Sequence, residues 1–334
     1  MHAVVLDGRG NYETVDKPRP VAAPGEVVIE PAAVGVCGTD LHLVIGDYPT
    51  GKFPVVPGHE FAGRIVEIGP GVEKFSVGQH VAVDPNVACG TCADCLAGQP
   101  NLCDFLVPIG VTSDGACAEL VAVPEEVTYL LPDGLSMAAG ALIEPLSCVL
   151  HALDRTPALT DQRVAVYGAG SIGLLAVIVA RAAGARAIHV VEPSPARRKA
   201  AVDLGADEAV DPAAATTSRN VDIAIEASGH PSAVAAAIDA LDKRGTLLQM
   251  GVVSSERTIP LRPYDLFDRE LTFVGSQSVA TSFAAAVAMM PDLGDTVERL
   301  VTHTFPLTRY GEAIAAAHSD SALKVHILPN ETEN

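Results

Sequence analysis

The chain contains no tryptophan, and aromatic residues make up only 4% of it. A core of stacked rings is therefore excluded, and the interior must be built mainly from Ala, Val, Leu and Ile. No apolar run approaches the ~20 residues that a membrane helix needs. The longest strongly apolar stretch, Leu174 to Ala180, is far shorter. Basic residues are scarce as well: 22 Lys and Arg stand against 41 Asp and Glu, a formal charge of −19. Phosphate recognition draws on Lys and Arg, so neither nucleic acid nor an anionic membrane is an expected partner. The first residues, Met1 to Asp7, lack the basic region, apolar core and cleavage site of a signal peptide. A cytoplasmic protein is expected. The seven cysteines are odd in number, and four of them fall within fifteen residues. That crowding argues against a secreted disulfide framework and for metal binding in a reducing compartment.

What is present is a 334-residue chain, 49% hydrophobic, long enough for two domains. Residues 1–150 read as short strands punctuated by Gly and Pro, such as 27–30, 63–69, 80–83 and 118–123. The pattern changes near residue 150. Apolar strands at 163–167, 187–191, 221–225, 246–250 and 271–274 are separated by segments of helical character, one of them 231–241. That alternation predicts an α/β fold with a doubly wound parallel sheet. From about 280 an Ala- and Met-rich helix, a β-like Val301-Thr302-His303, a second helix and a last strand at 323–328 follow.

Three motifs carry chemistry. The first is Cys89-x2-Cys92-x2-Cys95-x7-Cys103. Four thiolates on one loop can enclose a metal tetrahedrally, and a closed sulfur shell is a structural zinc site. An iron–sulfur cluster is the rival, but the fourth cysteine is too distant and no proline follows it. The second is Gly168-Ala169-Gly170-Ser171-Ile172-Gly173, which follows a predicted strand and opens a helix. In that context the glycines make a tight turn, admit a pyrophosphate and let helix and strand pack closely, while the helix N-terminus faces the phosphates. Glu192, nineteen residues on, stands where an acid accepts the ribose hydroxyls, and its charge repels a 2′-phosphate, favouring NAD over NADP. Arg197 and Arg198 are placed either to hold such a phosphate or to form a solvated helix face. The third is Cys37-Gly38-Thr39-Asp40-x-His42, with Gly58-His59-Glu60 downstream. Thiolate, imidazole and carboxylate suit a zinc ion with a position left for substrate. Glu144, in Leu142-Ile143-Glu144-Pro145-Leu146, supplies a further ligand, holds the zinc-bound water or is a helix-capping or surface carboxylate.

The order of these motifs resembles that of the zinc-containing medium-chain alcohol dehydrogenases, and within them the polyol (sorbitol-like) branch, over nearly the whole chain. The resemblance implies a GroES-like, β-rich catalytic domain from 1–149 and 277–334, around a Rossmann coenzyme domain at 150–276. It implies Cys37 and His59 as catalytic zinc ligands and Glu60 as the third ligand of polyol enzymes. Glu144 then matches either a fourth ligand or a carboxylate bonded to the zinc water. Thr39 matches the hydroxyl of a proton relay and His42 its solvent end. Lys324 matches a basic residue near the coenzyme pyrophosphate, and Tyr48 lies in a loop that lines the substrate pocket in relatives. The implied cofactors are NAD and two zinc ions per subunit, one catalytic and one structural, in a homotetramer or homodimer. The implied reaction moves a hydride from a secondary alcohol of a polyol, sugar alcohol or cyclitol to NAD, giving a ketone. Alternatives are a simple secondary alcohol, or an amino alcohol such as threonine or an aminocyclitol. One departure bears on substrate: where sorbitol dehydrogenases carry an Arg-Tyr pair, this chain reads Gly275-Ser276-Gln277-Ser278.

Overall fold

The computed structural model describes residues 1–48, 50–214 and 220–331. The chain divides into two compact units, one made of Met1–Ser147 and Val279–Asn334, the other of Cys148–Ser278. In the first, seven strands form a mainly antiparallel sheet. Its centre is the long strand Glu26–Gly35, which pairs with Glu60–Ile68 on one side and with Val121–Pro124 and Lys324–Leu328 on the other. The run Val27-Val28-Ile29 is fully buried, as are Ile65 on its partner and Ile327 near the C-terminus. Burying each such aliphatic side chain contributes ~1.5–3 kcal/mol. The register matters most for function. Gly35 lies opposite Glu60 on one side and opposite His326 on the other, so segments far apart in sequence meet at one end of the sheet.

The second unit is a six-stranded parallel sheet. Its spatial order is Glu208–Val210, Ala187–Val191, Arg163–Tyr167, Val221–Glu226, Leu241–Gln249, Thr272–Gly275. Arg163–Tyr167 is first in sequence but lies inside the sheet, with later strands added on both sides. The chain therefore reverses direction there, and ligands bind at the carboxyl ends of strands at such a switch point. Its inner strands are apolar on both faces, as expected of a sheet covered by helices.

Some boundaries differ from those read in the sequence. The helix expected through Leu241 ends at Ala240, and Leu241, fully buried, starts the next strand opposite Val221. A register irregularity separates that pair from Ile223 and Thr246, which is why the strand reads from the sequence as beginning only at Thr246. The N-terminal hairpin of His2–Leu6 and Tyr12–Asp16 and the helices Gly38–Ile45 and Pro263–Arg269 have no counterpart in the sequence reading. No helix among the described residues is long and apolar enough to cross a membrane.

Candidate functional site

The helix Gly38–Ile45 fixes the first donor. Cys37 precedes it in extended conformation, and its N–H donates to Asp40 Oδ2 at 2.8 Å. The other Asp40 oxygen lies 3.5 Å from His59 Nδ1, and both side chains are buried. His59 comes just before the strand Glu60–Ile68, whose first residue is held opposite Gly35. Donor atoms of Cys37, His59 and Glu60 consequently lie within 4.8 Å of one another. A soft thiolate, an imidazole backed by a carboxylate and a hard carboxylate oxygen form a donor set that fits zinc with one position to spare. The electrostatics agree. Burial disfavours a charged His59, but Asp40 and then the Cys37 thiol outweigh it and hold the imidazole well above its usual range. The pocket thus attracts positive charge at the imidazole, where a metal would displace the proton.

Glu144 lies in the first turn of the helix Ile143–Leu153 and is buried. It is outside the converging trio. Burial first, and the nearby Glu60 second, push its carboxyl up to about 7, against His59 and Lys324. Lys324, expected beside a pyrophosphate, belongs to the first unit and pairs its ammonium with Glu60, both side chains being almost wholly buried. Thr39 is half-buried in the first turn of its helix. His42 is exposed, with Nδ1 2.8 Å from Asp47 Oδ1. Tyr48 is half-buried and packs on the core of the first unit.

The four-cysteine loop gathers the sulfurs of Cys89, Cys92, Cys95 and Cys103 within the same 4.8 Å limit. Backbone N–H groups aim at them: those of Thr91 and Cys92 at Cys89 Sγ (3.5 and 3.3 Å), and those of Cys89 and Phe105 at Cys103 Sγ (both 3.3 Å). Donors to Cys89, led by the Thr91 N–H, bring its thiol down to about 6. Cys92 is lowered as well, led by the Cys95 N–H, whereas burial and then the neighbouring thiols push Cys95 up to about 12; the loop thus favours the thiolate form that binds metal at Cys89 and Cys92.

In the second unit a cavity of about 780 Å³ is lined by Gly168, Gly170, Glu192, Arg197, Ser228 and His230, among others. Ser171 and Ile172 begin the helix Ser171–Ala182, with Gly170 as its cap. A Cβ on Gly173 would sit 2.0 Å from Gly168 O, so the helix can approach the strand this closely only with glycine there. A Cβ on Gly170 would meet nothing within 4 Å, leaving its backbone open to the cavity. Glu192 is buried and already accepts from the N–H groups of Ala169 (2.8 Å) and Ser194 (2.9 Å). It therefore braces the glycine turn as well as facing the cavity. The two arginines part company. Arg198 is committed to the carbonyls of Glu192 and Pro193 and to Asp211, whereas Arg197 lines the cavity.

Two residues escaped the sequence reading. Asp40 lies inside the Cys37–His42 motif, but its bearing on His59 appears only when the helix is formed. Glu226 ends an apolar strand, the one signal that could have marked it. Fully buried, it accepts from the N–H groups of Ser228 (2.7 Å) and Gly229 (3.0 Å) and from Gln249 Nε2 (2.6 Å). It thereby fixes the turn that walls one side of the cavity.

These two constellations have counterparts in known proteins. Residues 23–133 match the alcohol dehydrogenase GroES-like domain, and residues 171–292 match the zinc-binding dehydrogenase domain. The chain is 34% identical to a sorbitol dehydrogenase of Bacillus subtilis, over 99% of this chain and 98% of the other. Among solved structures, it resembles a protein of Sinorhizobium meliloti 1021 described as a zinc-binding dehydrogenase and bound to NADP. That match has a TM-score of 0.92 and 32% identity, over 98% of this chain and 99% of that one. It also resembles 2R,3R-butanediol dehydrogenase from Bacillus subtilis, with a TM-score of 0.90 and 31% identity over the same shares. Sequence, fold and donor geometry lead to one assignment: the chain belongs to the zinc-containing medium-chain alcohol dehydrogenases, in their polyol branch, and is an NAD(P)-dependent oxidoreductase.

Proposed function

We propose that the enzyme oxidises one secondary hydroxyl of a short polyol or vicinal diol to a ketone, with NAD as acceptor. The observation that carries the reading is the trio of half-buried Cys37 and buried His59 and Glu60, whose donors converge beside another buried carboxyl, Glu144. A zinc ion held there would supply Lewis acidity to the substrate hydroxyl, and the nicotinamide a hydride acceptor. The protein's own groups do the rest. Asp40 orients His59 so that its far nitrogen faces the metal. Thr39 takes the hydroxyl proton, and the exposed pair His42–Asp47 is the solvent end of that path. Glu144, buried near Glu60, offers a carboxyl that can hydrogen-bond a neighbouring hydroxyl of the substrate. Tyr48 lines the substrate pocket.

In this reading residues 1–149 and 277–334 carry catalysis, and residues 150–276 hold the coenzyme on Gly168, Gly170, Ser171, Ile172 and Gly173. Glu192 selects NAD. Arg197, in the same cavity, is the feature that favours the second reading, NADP. Cys89, Cys92, Cys95 and Cys103 hold a second, structural zinc. Seven free cysteines suit a cytoplasmic location. The exposed Leu96, Leu102, Phe105, Tyr264 and Phe267 support a homodimer or homotetramer.

The deciding experiment follows NADH at 340 nm with a vicinal diol and its matched mono-alcohol, each with NAD and with NADP. The diol with NAD should give a kcat/KM at least about tenfold higher, because a hydrogen-bonding pocket discriminates against a missing hydroxyl. Equal or better turnover of the mono-alcohol overturns the polyol reading, and better turnover with NADP overturns the role of Glu192.

A further inference from the structure

Lys324 is buried as few lysines are, its side chain 1% exposed, and its ammonium meets the Glu60 carboxylate, itself 2% exposed. An ammonium withdrawn from water needs a compensating partner. Room for this one comes from Gly35. A Cβ there would lie 2.1 Å from Glu60 Oε2 and 2.9 Å from Lys324 Cε, so the missing side chain is the space in which the two charges meet. The sheet register puts Glu60 opposite Gly35 on one side and the strand that Lys324 begins on the other. The same Glu60 lies among the donors of Cys37 and His59. A carboxylate has two oxygens, and Lys324 engages Oε2.

We propose that Lys324 is a positioning residue for Glu60: it occupies one carboxylate oxygen, keeps Glu60 a single-oxygen donor to the metal, and so leaves a coordination position for the alcohol. The inference rests on reading Cys37, His59 and Glu60 as the catalytic metal site. It departs from the pyrophosphate contact expected of this lysine, since an ammonium buried against an internal carboxylate is not presented to an external phosphate. Two consequences follow. The lysine's charge repels the metal and lowers its affinity, and the lysine restrains Glu60 from closing the site with its second oxygen.

The test uses holoenzyme with cobalt(II) in place of zinc, comparing wild type, Lys324→Met, Lys324→Arg and Gly35→Ala. In Lys324→Met, metal release to a chelator should slow about tenfold, because a unit charge beside a dication is gone and a second oxygen is free. The visible d–d bands should weaken as coordination number rises, kcat should fall, and Kd for NAD should stay unchanged. Lys324→Arg should restore spectrum and kcat towards wild type. Gly35→Ala, which forces the carboxylate away from the ammonium, should change the cobalt spectrum even if Lys324→Met does not fold. Unaltered spectra and release rates in both Lys324→Met and Gly35→Ala overturn the proposal. So does a raised Kd for NAD with an unchanged metal, which returns Lys324 to the pyrophosphate. Cys37→Ser separates the two readings: if it keeps the wild-type metal content, the metal-site assignment itself fails.

Discussion

His59 illustrates how little a residue's type decides by itself. A lone histidine is more often a packed side chain than a ligand, and what converts it is Asp40, 3.5 Å away and buried with it. Asp84, by contrast, forms no ion pair among the described residues. It is 7% exposed, accepts the Asn86 N–H at 2.9 Å, and burial pushes its carboxyl up to about 7. The folded state therefore favours the protonated form. The stability this gives is fully present below the unfolded value near 4 and is lost as pH rises through about 7. Asp84→Asn keeps the acceptor oxygen and removes the titration. The advantage of the variant over wild type should grow by on the order of 3 kcal/mol between pH 4.5 and pH 8, measured by thermal unfolding of the holoenzyme. A variant less stable than wild type at pH 8 would mean that the carboxylate is charged and partnered. Cys37, His59, the four-cysteine run and the glycine turn were legible in the sequence because their chemistry and spacing are local. Asp40, Glu226 and the placement of Lys324 were not, because each acts on a neighbour supplied by a different strand or helix.

Elements were legible to the degree that one periodicity governed them. The inner strands Arg163–Tyr167 and Ala187–Val191 are mainly apolar runs, broken only by the leading Arg163 and by His189, and both boundaries agree with the sequence. The helix Gly38–Ile45 was hidden: it has eight residues and opens with Gly and Thr, so its start depends on the Asp40 contact to Cys37. The four-cysteine lobe was legible as a cluster of converging sulfurs but not as a structure. It consists of two-residue strands, Asn86–Val87 and Val107–Pro108, around a four-residue helix and a 3-10 turn. Leu96, Leu102 and Phe105 all face solvent, so it has almost no apolar core, and an ion on the four sulfurs would be what holds its shape. Cys92→Ser should therefore open this lobe locally. Chymotrypsin should cut near Leu102 or Phe105 in the variant and not in wild type, while kcat falls by no more than about twofold. Trypsin is uninformative here, since no Lys or Arg lies between residues 86 and 108. Loss of activity in step with cleavage would show that this site serves chemistry.

At the scale of the molecule the charge excess becomes a kinetic property. The chain carries −19 at neutral pH, and its coenzyme carries a pyrophosphate. Long-range repulsion must then oppose the approach of NAD, while Arg197, which lines the cavity, and the N-terminus of the helix Ser171–Ala182 would attract a coenzyme bound there only at short range. Salt screens the long-range part first, since the Debye length falls from ~30 Å at 0.01 M to ~8 Å at 0.15 M. Close contacts in the cavity are screened far less. Raising ionic strength over that interval should accelerate NAD association, read by stopped-flow fluorescence of NADH and as a lower KM for NAD. A neutral polyol has no such term, so its KM should stay constant and serve as the internal control. A KM for NAD that rises with salt would mean that the local positive groups outweigh the whole acidic surface. In that case Arg197→Ala should abolish the salt dependence; if it does not, the attraction arises elsewhere on the second unit.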